Sequence, residues 1–182
     1  LGAPAKGSKR VMLKNTQEAK FERVLVPISK VALAAPDQAD VSFEAFFTHI
    51  LMHELMHGLG PHDIQGPDGK PTTVRQSLKE AYSAFEEAKA DISGLWALQQ
   101  LVDEGELPRE LGRTMYVTFL ASSFRTLRFG LTESHARGMI LQINFLLERG
   151  AFYTVKGGTF GVVVEKARDA VAELTRRVME IQ

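Results

Sequence analysis

The 182-residue sequence contains no cysteine. That excludes a disulfide scaffold, an iron–sulfur centre, a thiolate zinc site and a cysteine nucleophile. Neither charge is in excess, with 22 Lys+Arg against 22 Asp+Glu, so there is no electrostatic footprint for nucleic acid or for an anionic membrane. No run approaches the ~20 consecutive apolar residues that span a bilayer. Leu1-Gly2-Ala3-Pro4 opens no apolar stretch of the signal-peptide kind. A G-x-S-x-G elbow, a Walker loop and a Rossmann glycine pattern are all missing. Internal repeats and low-complexity tracts are missing too. What is left is one intracellular, cytoplasmic domain, long enough to bury a core. The first residue is not Met, and a piece of a longer gene product is expected.

Residues 1–10 (LGAPAKGSKR) read as a flexible lead-in. Val11-Met12-Leu13 and Val24-Leu25-Val26 are β-prone, the second closed by Pro27, and predict a short N-terminal strand; the intervening KNTQEAKFER also reads as a helical turn. From Val41 to Leu59 the apolar residues Phe43, Phe46, Phe47, Ile50 and Leu51 follow a 3.6 period, and Gly58, Gly60 and Pro61 stop the helix. His62–Pro71 has turn chemistry in Gly66-Pro67 and Asp68-Gly69. Thr73 and Gln76 form a capping box for a second helix, whose apolar stripe runs from Val74 to Val102 and which ends at Gly105. Pro108 suits the first turn of a third helix reaching Phe129. Thr132 is placed to cap a fourth, closed by Gly150. Gly157-Gly158 between Phe152–Lys156 and Thr159–Val163 is the strongest hairpin signal, and a last amphipathic helix covers Glu165 to Ile181. The predicted class is mainly α: one helical lobe over residues 1–182, with a short N-terminal strand and one small β-hairpin.

His53-Glu54-Leu55-Met56-His57 is an H-E-x-x-H string on the first of the well-marked helices. Residues four apart on a helix point about 40° from each other around its axis, so both imidazoles face the same way one turn apart. They can offer two neutral nitrogens to one Zn²⁺, while Glu54 stands beside the ion to take a proton from a water there. Two histidines on an ordinary helix face are the bland alternative. A third ligand is expected from another element, and Glu86-Glu87-Ala88-Lys89-Ala90-Asp91 is the candidate run. Glu87 and Asp91 share a helix face, so one can bind metal while the other orients a ligand histidine. A solvated face with i,i+4 pairing competes with this, but the surrounding residues are apolar, and buried carboxylates need a partner. His135, four residues before Met139, lies on the inward face of the fourth helix's first turn. There the helix dipole lowers an imidazole's pKa and backbone N–H groups are at hand for an oxyanion. His49, one turn before His53, could form a competing histidine pair with it, but without a Glu after it reads as packing or surface. His62, in the loop after Pro61, reads equally as a substrate contact or as an ordinary hydrogen-bonding residue, and a fourth protein ligand such as His62 would mark a structural site.

HELMHGLGPH (residues 53–62) together with EEAKAD (residues 86–91) resembles the zinc lobe of the dipeptidyl-peptidase III family of metallopeptidases. The bacterial and plant branch, some of whose members carry a Nudix domain, is the closer likeness. GSKRVMLKN, the following AKF and HARGMILQINFLLERGAF extend the resemblance over nearly the whole chain. Better-known members have H-E-x-x-G-H, one residue longer than the regular string here. The resemblance implies a helical zincin-like lobe in which His53, His57 and Glu87 bind one Zn²⁺ and Glu54 activates water. It further implies supporting roles for Glu86 and Asp91, and stabilisation of the intermediate by His135 with Arg137 nearby, although the family usually spaces those two by four residues. Short peptides are the implied substrate, held between this lobe and a second lobe or upstream domain missing from the sequence. Zinc binding with weak or no hydrolysis is therefore expected of the isolated chain. The alternative is a non-catalytic metal-binding or regulatory module attached to another enzyme such as a Nudix hydrolase. Arg109-Glu110-Leu111 resembles a shred of a Nudix box, but the glutamate cluster that should follow is missing.

Overall fold

Apolar residues at helical spacing turn most of the chain into helices. The computed structural model describes residues 11–181; the lead-in predicted for residues 1–10 lies outside them. α1 (Lys14–Lys20), a π-helical turn (Phe21–Leu25) and α2 (Val26–Ala32) run on from one another. α3 (Phe43–Met56) carries the H-E-x-x-H string, and Ser42 caps it by accepting from the Ala45 N–H at 3.4 Å. β1 (Asp63–Gln65) and β2 (Pro71–Thr73) pair antiparallel, with Gln65 opposite Pro71. α4 (Val74–Leu78) follows, then α5 (Tyr82–Asp103), α6 (Leu111–Leu127) and α7 (Ser134–Glu148). The β3 (Phe152–Val155) and β4 (Thr159–Val162) hairpin precedes α8 (Val164–Ile181).

α5 is the axis of the fold, packing on α3, α6, α7 and α8. Its Ile92, Leu95 and Leu98 join Phe46, Phe119, Leu146, Phe152 and Leu174 in one buried cluster. α8 seals that cluster with Ala167, Ala170, Val171, Leu174 and Val178, spaced at helical intervals.

The mainly helical class and the hairpin around Gly157-Gly158 hold. Both glycines have positive φ, 110° and 86°, which a side chain would strain. Four expectations change. Val11–Leu13 forms no strand, and Val24–Val26 lies inside the helical run, where the π-helical turn Phe21–Leu25 passes into α2 just before Pro27. The predicted helix from Val74 to Val102 is two helices, because the chain reverses at Lys79 (φ 50°). The turn-rich loop after α3 is itself a hairpin, closed by the Gly66 N–H donating to the Lys70 carbonyl at 2.8 Å. The third helix starts at Leu111, three residues after Pro108.

Candidate metal centre

Two glycines let three helices meet closely. A Cβ on Gly94 of α5 would stand 3.1 Å from the His53 backbone nitrogen, and one on Gly138 of α7 would stand 2.7 Å from the Ala84 carbonyl oxygen. α3 and α7 therefore press against the charged N-terminal half of α5. His53, His57 and Glu87 converge there, each offering a donor atom within 4.8 Å of the others.

The pair separations are 3.0 Å between the two Nε2 atoms, 3.4 Å from His53 Nε2 to Glu87 Oε2 and 3.9 Å from His57 Nε2 to the same oxygen. Donors bound tetrahedrally at about 2.0–2.1 Å stand about 3.3 Å apart, so the three atoms already have the spacing of a zinc site. Orientation agrees with spacing. His53 Nδ1 donates to Asp91 Oδ1 at 2.7 Å and His57 Nδ1 donates to Glu86 Oε1 at 3.0 Å. With the proton on Nδ1, each Nε2 keeps the lone pair that a metal requires.

Charge points the same way. Glu86, Glu87 and Asp91 bring three carboxylates to two imidazoles. Burial pulls the His53 imidazole down, but Asp91 and Glu87 overcome it and push its pKa up to about 10. Burial likewise pushes Glu87 up, but His135 and His53 outweigh it and bring Glu87 down to about 2. The carboxylates thus favour positive charge between them, which a divalent ion could supply in place of the imidazolium proton. His135 Nδ1 reaches within 2.8 Å of Glu87 Oε2. The contact is an ion-pair distance without hydrogen-bond alignment, so this buried carboxylate oxygen still has no hydrogen-bond donor. A metal would supply its partner.

Glu54 lies beside His53 on the wall of a cleft of about 300 Å³ that also takes in Asp91, His135 and Met139. Among the described residues its carboxylate makes no ion pair, which leaves it available for proton transfer. His135 is second in α7, after Glu133 rather than Thr132 in the cap position. Its pKa is raised, chiefly by Glu87, and not lowered as its place in the first turn predicts. His49 packs as expected, its Nε2 donating to the Asp91 carbonyl at 2.9 Å beside Phe119. Two predicted residues are not brought in. His62 is exposed, its backbone carbonyl accepting from the Val74 N–H. Arg137 donates instead to the Leu131 carbonyl at 3.1 Å, bracing its own turn.

Three residues of this centre escaped the sequence reading. Lys89 is fully buried, donating to Glu86 Oε1 at 2.9 Å and to the Leu59 carbonyl at 2.8 Å, and so ties the end of α3 to the carboxylate that holds His57. Gln142 reaches Asp91 Oδ2 at 3.4 Å. Arg125 stands on the cleft wall. A lysine inside E-E-x-K looks like a solvated pair, and nothing local marks the other two.

No protein-family model matches the chain. It is 49% identical over 177 residues to Nudix hydrolase 3 of Arabidopsis thaliana, covering 97% of this chain and 23% of that one. It superposes on the structure of dipeptidyl-peptidase III from Corallococcus sp. strain EGB with a TM-score of 0.91 and 64% identity, over 95% of this chain and 32% of that one. For the dipeptidyl-peptidase III of Caldithrix abyssi the TM-score is 0.93 and the identity 46%, over 97% and 34% of the two chains. The chain thus spans about a third or less of the length of these relatives. Over that span it is a dipeptidyl-peptidase III-like region with a candidate His53–His57–Glu87 metal site.

Proposed function

We propose that this chain is the zinc-binding catalytic lobe of a peptide hydrolase of the dipeptidyl-peptidase III type. The observation that carries the reading is the facing of His53 Nε2, His57 Nε2 and Glu87 Oε2 at metal-ligand spacing, with both Nδ1 atoms already held by carboxylates. Zinc, when bound, supplies Lewis acidity and makes a nearby water easier to deprotonate.

The chain's own groups divide the remaining work. Asp91 and Glu86 fix the tautomer and the angle of the two imidazoles, and Lys89 anchors Glu86. Glu54 takes the proton from the attacking water and hands it to the departing amine. His135, whose contact with Glu87 favours the protonated imidazole, lines the cleft as a donor to the carbonyl oxygen on which negative charge develops. The relatives' greater length supports a peptide held partly by chain beyond these 182 residues. The lack of cysteine suits the reducing cytoplasm.

The test is Glu54→Gln in the intact protein. Zinc content is expected to stay at one ion per chain, while release of dipeptides from short peptides falls about 10²–10⁴-fold. Unchanged turnover, or purified protein without zinc, would overturn the reading.

A further inference from the structure

The cleft is also lined by α1 and α6, which contribute Gln17, Lys20, Ser122, Arg125 and Thr126. Arg125 is the unusual one. Its guanidinium carbon sits 5.7 Å from the centre of the Phe46 ring, and its Nε is buried with no hydrogen-bond acceptor. No carboxylate among the described residues forms an ion pair with it. The nearest acid in electrostatic reach, Asp91, has one oxygen committed to His53 and the other to Gln142. Burial pushes the Arg125 pKa down, the direction expected of a cation removed from water without an anion beside it. Such a group is costly to the folded state unless something binds it.

Resting on the peptide-hydrolase reading, we propose that Arg125 is a substrate-binding residue that recognises a carboxylate of the peptide lying in this cleft. A guanidinium offers a planar fork that matches a carboxylate two bonds at a time. Arg125 lines the cleft and meets no carboxylate among the described residues, so the fork's terminal nitrogens are open to one while the buried Nε faces inward, with the Phe46 ring 5.7 Å from the guanidinium carbon. Lys20 adds a second positive charge to the cleft lining, and the Ser122 hydroxyl adds a neutral donor, while the Thr126 hydroxyl already donates to the Ser122 carbonyl at 3.2 Å. The acids that line the cleft, Glu54 and Asp91, belong to the histidine side. A bound peptide would then lie with its scissile carbonyl toward the histidines and a negative group toward α6. That group is either the peptide's own C-terminus or an acidic side chain.

The experiment uses intact, zinc-loaded protein carrying Glu54→Gln, so that probes bind without turning over. Tri-, tetra- and penta-alanine are titrated calorimetrically as free acids, as C-terminal amides, and as amides with one alanine replaced by glutamate. At least one free acid, or one glutamate-containing amide, is expected to bind about 10- to 100-fold more tightly than the plain amide, the range for a hydrogen-bonded charge pair. The free acid marks the terminus as the source, and the glutamate amide marks a side chain. Adding Arg125→Met should bring that ratio near one, and Arg125→Lys should restore part of it. The same Arg125→Met change should leave zinc content and unfolding temperature no lower, because it removes an unpaired cation. Equal binding of acids and amides by the parent protein would overturn the inference, as would a ratio indifferent to Arg125→Met. A fall in unfolding temperature with loss of zinc would make Arg125 structural, and overturn it too. If the Arg125-dependent ratio appears but the wild-type protein cleaves no peptide, carboxylate recognition stands and the hydrolase reading falls. Cleavage without the ratio leaves the hydrolase standing and removes carboxylate recognition.

Discussion

The two halves of α5 solve the same problem differently. Both bury polar groups. In the C-terminal half, Gln99 accepts from the Tyr116 hydroxyl at 2.9 Å and donates to Asp103 at 2.8 Å, while Asp103 also receives Arg168 at 2.6 Å. Every member has its partner, and Leu95, Leu98 and Val102 pack around them. In the N-terminal half the carboxylates meet histidines, and satisfaction stops short. The buried side-chain atoms without a hydrogen-bond partner among the described residues are Glu87 Oε2, Gln142 Oε1 and Arg125 Nε. All three belong to the metal centre or its cleft. A fold ordinarily closes its buried hydrogen bonds. Where one half of a helix closes them and the other leaves them open, the open half is the candidate place for a ligand.

The largest effect that would break this comparison is on metal. Adding zinc at about a thousand times its dissociation constant stabilises a site by about 4 kcal/mol, roughly 8–16 °C in Tm for a domain of this size. Glu87→Gln should abolish that rise and reduce zinc, measured by elemental analysis, to background. If Glu87→Gln keeps its zinc, the open oxygen has another purpose. Next in size is Asp91→Asn. The imidazole of His53 would lose its charged acceptor, and zinc affinity, read by competition with a chromogenic chelator, should weaken about 10–100-fold.

Backbone approach sharpens the contrast. Gly138→Ala forces a methyl to 2.7 Å from the Ala84 carbonyl oxygen and 3.1 Å from the Ala88 nitrogen. The cost of such overpacking is about 1–3 kcal/mol, a fall of several degrees in Tm. Gly112→Ala beside the C-terminal half meets only Val102 Cγ1 at 3.4 Å and the end of Gln99. There the better helix propensity of alanine, about 1 kcal/mol, should leave thermal stability equal or higher. Equal behaviour of the two variants in a melting experiment would show that the close packing at the metal centre is not special.

Much of this was legible in the sequence. Periodicity placed α3, α7 and α8, and the Thr73–Gln76 capping box is present as predicted. The shared facing of His53 and His57 follows from helix spacing and can be computed from their numbers, whereas Glu87 lies on another helix and was singled out by the family resemblance. The break at Lys79 was hidden, since no glycine, proline or asparagine stands there to announce positive φ. Val24–Val26 read as a strand because three residues cannot distinguish a buried strand from a turn of buried helix. The supporting polar shell was hidden for another reason. Lys89, Gln142 and Arg125 act across helices, at separations set by how α3, α5, α6 and α7 pack rather than by local spacing. Gly94 and Gly138 were the available hint, since an isolated glycine inside a helical pattern marks a close approach.

The smallest predicted effect is also the most discriminating. Tyr116→Phe deletes only a hydroxyl, at a residue 1% exposed, and leaves Gln99 Oε1 without its 2.9 Å donor. Losing a satisfied buried hydrogen bond costs about 1–2 kcal/mol, so Tm should fall by a few degrees. Among the described residues the hydrogen-bond chain of Tyr116 runs through Gln99 and Asp103 to Arg168 on α8, and none of these bonds involves His53, His57 or Glu87. Zinc affinity should therefore stay within about twofold, as for distant sites with no shared partner. A Tyr116→Phe protein that melts lower and binds zinc as before would separate the two halves of α5 into independent units, one for holding the fold and one for holding an ion. If zinc weakens along with stability, the halves are coupled, and the closed network is part of the metal centre's own scaffold.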